Sequence, residues 1–138
     1  MTTPLVRIVD DDADARSSSS FFLSMMGLEI KEYDSAYRFL EEDDMNRPGC
    51  IILDVRMPDM TGMELQVKLN QKDCRLPIIF LSGHGELDMA VHALKRGASD
   101  FLQKSAKPER LLAAVKKAVT ASMEEYESDN EIDTCLLY

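Results

Sequence analysis

The stretch Cys50-Ile51-Ile52-Leu53-Asp54-Val55-Arg56-Met57-Pro58-Asp59 decides how the rest of the chain is read. Ile51–Leu53 is apolar, β-branched and short, which favours a buried strand over a helix. Asp54 closes that strand, and Pro58 cannot continue a central strand, so a loop follows. Open α/β sheets gather their chemistry beyond the carboxyl ends of their strands. An aspartate at the end of a strand is common in itself, and its weight depends on what else reaches the same edge.

Working outward, Leu5-Val6-Arg7-Ile8-Val9 is a second strand-like run, closed by Asp10-Asp11-Asp12. Adjacent carboxylates repel unless water or a cation screens them. Asp12 and Asp14 fit a helix start, as N-cap and first-turn acid. Asp10 and Asp11 directly follow the strand and would meet Asp54 if the two strands are parallel neighbours. Convergent carboxylates favour a hard divalent cation, and Mg²⁺ fits a site that stays partly hydrated. Pro77–Leu81 closes on Ser82-Gly83-His84-Gly85, and Asp100–Gln103 closes on Lys104. A hydroxyl and an ammonium suit the oxygens of a transferred phosphoryl group. Alone, Ser82 reads as a turn serine and Lys104 as a surface lysine. Acid pair, acid, hydroxyl and lysine on four strand ends in chain order form one constellation.

The remaining pattern alternates strands near 5–9, 28–33, 50–54, 77–82 and 100–103 with helices near 13–26, 35–43, 62–71, 86–96 and 108–123. Gly27 and Gly97 fit C′ positions, and Pro108 fits a first helical turn. Ser20, Phe21 and Phe22 are expected to mark a buried helix face. The strand 28–33 alternates with Glu29, Lys31 and Glu32, as an exposed edge strand does. Five βα units predict an α/β, doubly wound parallel sheet in the order 2-1-3-4-5.

Composition narrows the function. With 138 residues the chain forms one domain with a real core. Its 25 acidic and 16 basic residues give a net charge of −9, a poor field for nucleic acid. Cys50, Cys74 and Cys135 have no zinc-like spacing and read as inert thiols. No basic-then-apolar leader opens the chain and no apolar run approaches a membrane span, so a cytoplasmic protein is expected.

In these segments the chain resembles response-regulator receiver domains of bacterial two-component signalling: Val6–Asp12, Ile51–Gly62 (IILDVRMPDMTG), Pro77–Gly85 (PIIFLSGHG) and Gly97–Lys104 (GASDFLQK). The resemblance covers residues 4 to 120 and implies a flavodoxin-like (βα)5 sandwich. It implies Asp54 as phosphoacceptor and Asp10, Asp11, Asp54 and the Arg56 backbone carbonyl around Mg²⁺. Ser82 would be the hydroxyl switch, Lys104 the lysine that contacts the phosphate, and Phe101 the switch aromatic. Arg56 and His84 stand two residues past Asp54 and Ser82, where side chains in this family border the attacking water, so both would modulate hydrolysis. Receivers usually follow the lysine with proline, whereas here Ser105 follows and Pro108 comes later. A cis bond before serine would cost about 2.5–4 kcal/mol.

The implied partner is a histidine kinase or phosphotransfer protein. The chain would catalyse its own phosphorylation and dephosphorylation without acting as a conventional enzyme. The segments look most like receivers attached to helix-turn-helix transcription outputs. A homodimer through residues 86–117 would read out the switch, and neither direct nucleic-acid binding nor membrane attachment is expected. The receiver is assigned to 4–123, with 124–138 an acidic tail or linker start. The alternative is an unphosphorylated pseudo-receiver acting as an interaction module. An aspartate-nucleophile phosphohydrolase would need a general acid two positions after Asp54, where Arg56 stays protonated. A nucleotide-binding flavodoxin-like protein would need a Gly-rich phosphate loop after the first strand, and none is present.

Overall fold

The computed structural model describes residues 2–83 and 86–136. The strands are β1 (Leu5–Val9), β2 (Glu29–Tyr33), β3 (Gly49–Asp54), β4 (Ile78–Ser82) and β5 (Asp100–Gln103). The helices are α1 (Ala13–Met25), α2 (Ala36–Glu42), α3 (Gly62–Gln71), α4 (Leu87–Lys95) and α5 (Pro108–Leu136). All strand pairs are parallel, in the order β2-β1-β3-β4-β5. The chain therefore reverses its winding at β1, between β2 and β3, and the crevice of such a sheet opens beyond the carboxyl ends at that point.

Side chains alternate across each strand and build two cores. Cys50 and Ile52 join Val6, Ile8, Ile79 and Leu81 against Leu23 of α1 and Leu111 and Val115 of α5. Ile51 and Leu53 join Val9, Ile78 and Phe80 against Phe39 of α2, Leu65 of α3 and Ala93 of α4. The central strands β1, β3 and β4 are buried along their whole length, whereas β2 exposes Glu29, Lys31 and Glu32 at the edge. Burying one such aliphatic side chain is worth about 1.5–3 kcal/mol.

Helix ends follow local chemistry. The Asp12 side chain accepts from the amides of Asp14 and Ala15 and caps α1. Gly27 and Gly97 follow the C-caps of α1 and α4 with φ of +88° and +103°, conformations that cost glycine nothing.

Two expectations need correction. Phe21 does not sit on a buried face: it is 69% exposed, and Leu23 is the α1 residue that enters the core. Helix α1 contains four consecutive serines, Ser17–Ser20, so no clean apolar stripe announces its inner face. Helix α5 does not stop near 123 but continues to Leu136. Just before this extension the Ser122 hydroxyl accepts from the Gly49 amide at 3.0 Å, and the extension itself is tied down by Arg75, which pairs with Glu125 at 3.3 Å and Asp129 at 2.8 Å. The strand expected at 5–9 forms as β1, and within it Arg7 is fully buried. Its guanidinium donates to Asp43 at 3.1 and 3.3 Å and to the carbonyls of Leu5 and Arg47, while the Tyr33 hydroxyl donates to Asp43 at 2.7 Å.

Candidate functional site

The register of the sheet brings the predicted strand ends together. Val9 pairs with Leu53, Asp54 with Leu81, and Ser82 with Gln103, so Asp10, Asp54, Ser82 and Lys104 stand at one edge. Asp10 and Asp54 are buried, at 3% and 5% exposure, while Asp11 faces solvent. The three aspartates each offer a carboxylate oxygen, and these oxygens all lie within 4.8 Å of one another. Lys104 Nζ closes the cluster, 2.9 Å from Asp10 Oδ2 and 3.5 Å from Asp54 Oδ2.

Backbone contacts hold this arrangement. The Lys104 amide donates to the Ser82 carbonyl at 2.7 Å, which anchors the lysine to the end of β4. Among the described residues every peptide bond is trans, including Lys104–Ser105. The Asp12 amide donates to Asp10 Oδ1 at 2.9 Å, and the Arg56 amide donates to Asp54 Oδ1 at 3.3 Å. After Asp54 the chain returns to α3 through a capping box formed by Thr61 and Glu64. The Gly62 amide donates to the Val55 carbonyl at 3.0 Å, and a Cβ on Gly62 would lie 2.2 Å from the Asp54 carbonyl oxygen. Glycine at 62 therefore lets α3 start directly against the backbone of Asp54.

The electrostatics identify Asp54 as the unusual member. Burial and the neighbouring Asp10 carboxylate raise its pKa to about 7, against the opposing pull of Lys104 and the Arg56 amide. Burial alone would lower the Lys104 ammonium, but Asp10 and Asp54 outweigh it and hold the pKa above its ordinary value. A single ammonium facing two buried carboxylates and a third exposed one leaves negative charge to be neutralised. Oxygen donors in that number fit a hard divalent cation. Burial raises the Cys50 thiol to about 12, so it takes no part in chemistry near neutrality.

Sequence comparison agrees with this geometry. The response regulator receiver domain family matches residues 6–116. The chain belongs to that family. The transcriptional regulatory protein TdiR of Thauera aromatica is 40% identical to this receiver over 126 residues, covering 91% of the chain and 56% of TdiR. Response regulator StyR superposes with a TM-score of 0.91 at 35% identity, covering 96% of the receiver and 67% of StyR. The crystal structure of FixJ-N gives a TM-score of 0.80 at 38% identity, with coverage of 87% and 96%. The receiver spans little more than half the length of TdiR.

Two residues of the expected set need comment. Phe101 is half-buried and packs on Phe80 with ring centroids 5.9 Å apart, at the margin of the core beside β4. His84 lies outside the described residues. One polar residue of the edge was not expected. Glu86, at the N-cap position of α4, accepts a hydrogen bond from the Ser82 hydroxyl at 3.0 Å and forms an ion pair with Arg56. Its only sequence signal was an acidic side chain at a helix start, which the macrodipole explains without further chemistry.

Proposed function

We propose that Asp54 is the phosphoacceptor of a two-component phosphorelay. One observation carries this reading: the Asp54 carboxyl is buried at the sheet edge beside two further aspartates, with the Lys104 ammonium 3.5 Å away. An Asp54 oxygen attacks the phosphorus of a phosphohistidine on a histidine kinase or phosphotransfer protein. The O–P bond forms as the donor N–P bond breaks. Phosphoramidate is a small donor for the same reaction, and acetyl phosphate donates with its own P–O bond breaking to release acetate. Lys104 neutralises charge on the transferred oxygens from a fixed position, which needs little reorganisation during transfer. Asp10, Asp11, Asp54 and the Arg56 carbonyl would hold Mg²⁺, which would supply positive charge against those oxygens. Water attack at phosphorus later regenerates the carboxylate, at a rate that Arg56 and His84 modulate.

Ser82 follows as the hydroxyl switch, drawn toward the phosphoryl oxygens, and Phe101 moves into the space it leaves. Phosphorylation thus shifts the population of a surface over residues 86–117, where a homodimer forms. The output is transcription regulation through a further domain, supported by the character of relatives such as TdiR, of which this chain matches little more than half. Residues 4–123 make up the receiver, and 124–138 lead out of it.

Intact-mass spectrometry tests the acceptor. Incubation with acetyl phosphate and Mg²⁺ adds one phosphoryl group to the wild-type chain and none to Asp54→Asn, and chelator abolishes the uptake. Equal uptake by Asp54→Asn, or uptake indifferent to chelator, rules the assignment out.

A further inference from the structure

Glu86 occupies the helix position that normally caps, yet among the described residues its side chain makes no capping hydrogen bond. Among those residues it turns instead to two groups of the candidate site. Oε2 accepts from the hydroxyl of the fully buried Ser82, and Oε1 pairs with the Arg56 guanidinium. The Glu86 side chain is 9% exposed and that of Arg56 74%, so the cation closes the pair from the solvent side.

A serine hydroxyl has one proton to donate. Given to Glu86, it cannot also be given to a phosphoryl oxygen on Asp54. We propose that Glu86 is the positioning residue that latches the Ser82 hydroxyl in the unphosphorylated receiver. The latch rests on the phosphoacceptor reading of Asp54 and adds the step that opposes switching: the Ser82–Glu86 hydrogen bond breaks when the hydroxyl moves to the phosphoryl group. Arg56 makes that step reversible. A carboxylate left alone in so enclosed a place would be costly, but Glu86 keeps its Arg56 partner after Ser82 departs. The same ion pair gives Arg56 a defined position beside the site.

A purely structural role for Glu86 predicts something different. As an acid at the start of α4 it would stabilise the helix dipole whether or not Ser82 has a hydroxyl. A double-mutant cycle separates the two roles. The chain has no tryptophan, so binding of beryllofluoride in saturating Mg²⁺ is followed by amide NMR shifts in wild type, Glu86→Ala, Ser82→Ala and the double variant. Losing a hydrogen bond to a charged acceptor is expected to make beryllofluoride bind about tenfold more tightly to Glu86→Ala than to wild type. In the Ser82→Ala background the same substitution should change affinity by no more than about twofold. Glu86→Gln keeps the volume with a neutral amide and should tighten binding by an intermediate factor, which serves if the alanine variant folds poorly. Equal fold-changes in both backgrounds, or none in either, overturn the latch while leaving the acceptor assignment intact. A wild-type chain that binds no beryllofluoride overturns both.

Discussion

Asp54 carries its own pH signature. Its carboxyl, raised to about 7, binds a proton in the folded protein at pH values where the unfolded chain, near 3.8, has lost it. Between those values the folded state holds more protons, so stability falls as pH rises through the window. Asp54→Asn removes the like charge beside Asp10 and should be more stable than wild type at pH 8 in chelator, by on the order of 2 kcal/mol. The difference should shrink toward pH 4 and narrow when Mg²⁺ is added. Urea denaturation at the two pH values checks this, and a variant less stable at pH 8 would contradict the charge argument. The residues of this cluster were legible because each closes an apolar strand, and parallel strands deliver their carboxyl ends to one edge. Glu86 was not legible. Its partners are Ser82, across a glycine-flanked loop, and Arg56, on another strand end, and no periodicity links them.

At the scale of elements, short apolar runs closed by polar residues, one alternating edge strand and glycine and proline punctuation placed all five strands and helices within one or two residues at most ends. What the sequence did not show has physical causes. A run such as Leu5–Val9 looks uniformly apolar to a hydropathy average, yet Arg7 is buried because Asp43 and two carbonyls meet its guanidinium at the end of the neighbouring α2. Partners so far apart in the chain leave no local pattern. This pair carries a second prediction. Asp43→Ala would leave Arg7 and the Tyr33 hydroxyl without their shared acceptor, and should destabilise the receiver by about 3–5 kcal/mol in chemical denaturation. Burial pushes the Asp43 carboxyl up, but hydrogen bonds from Arg7, Tyr33 and the Met45 amide outweigh it and leave the pKa below 3.8. The stabilisation is therefore present above pH 3.8 and lost as pH falls through the lower, folded-state value. Replacing Arg7 and Asp43 together by Met and Leu should recover most of the loss, since the cost lies in the stranded partner. Phe21 failed for a different reason: among four serines, either neighbour of Phe22 could have faced inward, and only packing chose Leu23.

For the whole molecule, no helix among the described residues is long and apolar enough to cross a membrane. The surface over 86–117 mixes exposed Val91 and Leu94 of α4 with exposed lysines of α5, and the proposed homodimer would form there. Moving such an equilibrium from 1:99 to 99:1 needs about 5.5 kcal/mol of preference for the active state. Sedimentation at matched concentrations should show the beryllofluoride-bound chain as dimer and the free chain as monomer. A monomer in both conditions would remove dimerisation as the readout. The extent of α5 was hidden from sequence because its acidic second half lacks an apolar stripe. Its hold on the body comes instead from Ser122, Glu125 and Asp129, polar groups whose partners Gly49 and Arg75 lie on other elements. A continuous helix gripped in this way transmits angle as well as distance. Each residue advances the axis by about 1.5 Å and turns it by about 100°. An output domain attached at the far end of α5 would thus be phased to the receiver like the hand of a clock. Inserting one residue beyond Asp129 would swing that cargo by more than a quarter turn with every side chain of the phosphorylation edge untouched, whereas inserting seven would bring it back almost to its original bearing, about 10 Å farther out.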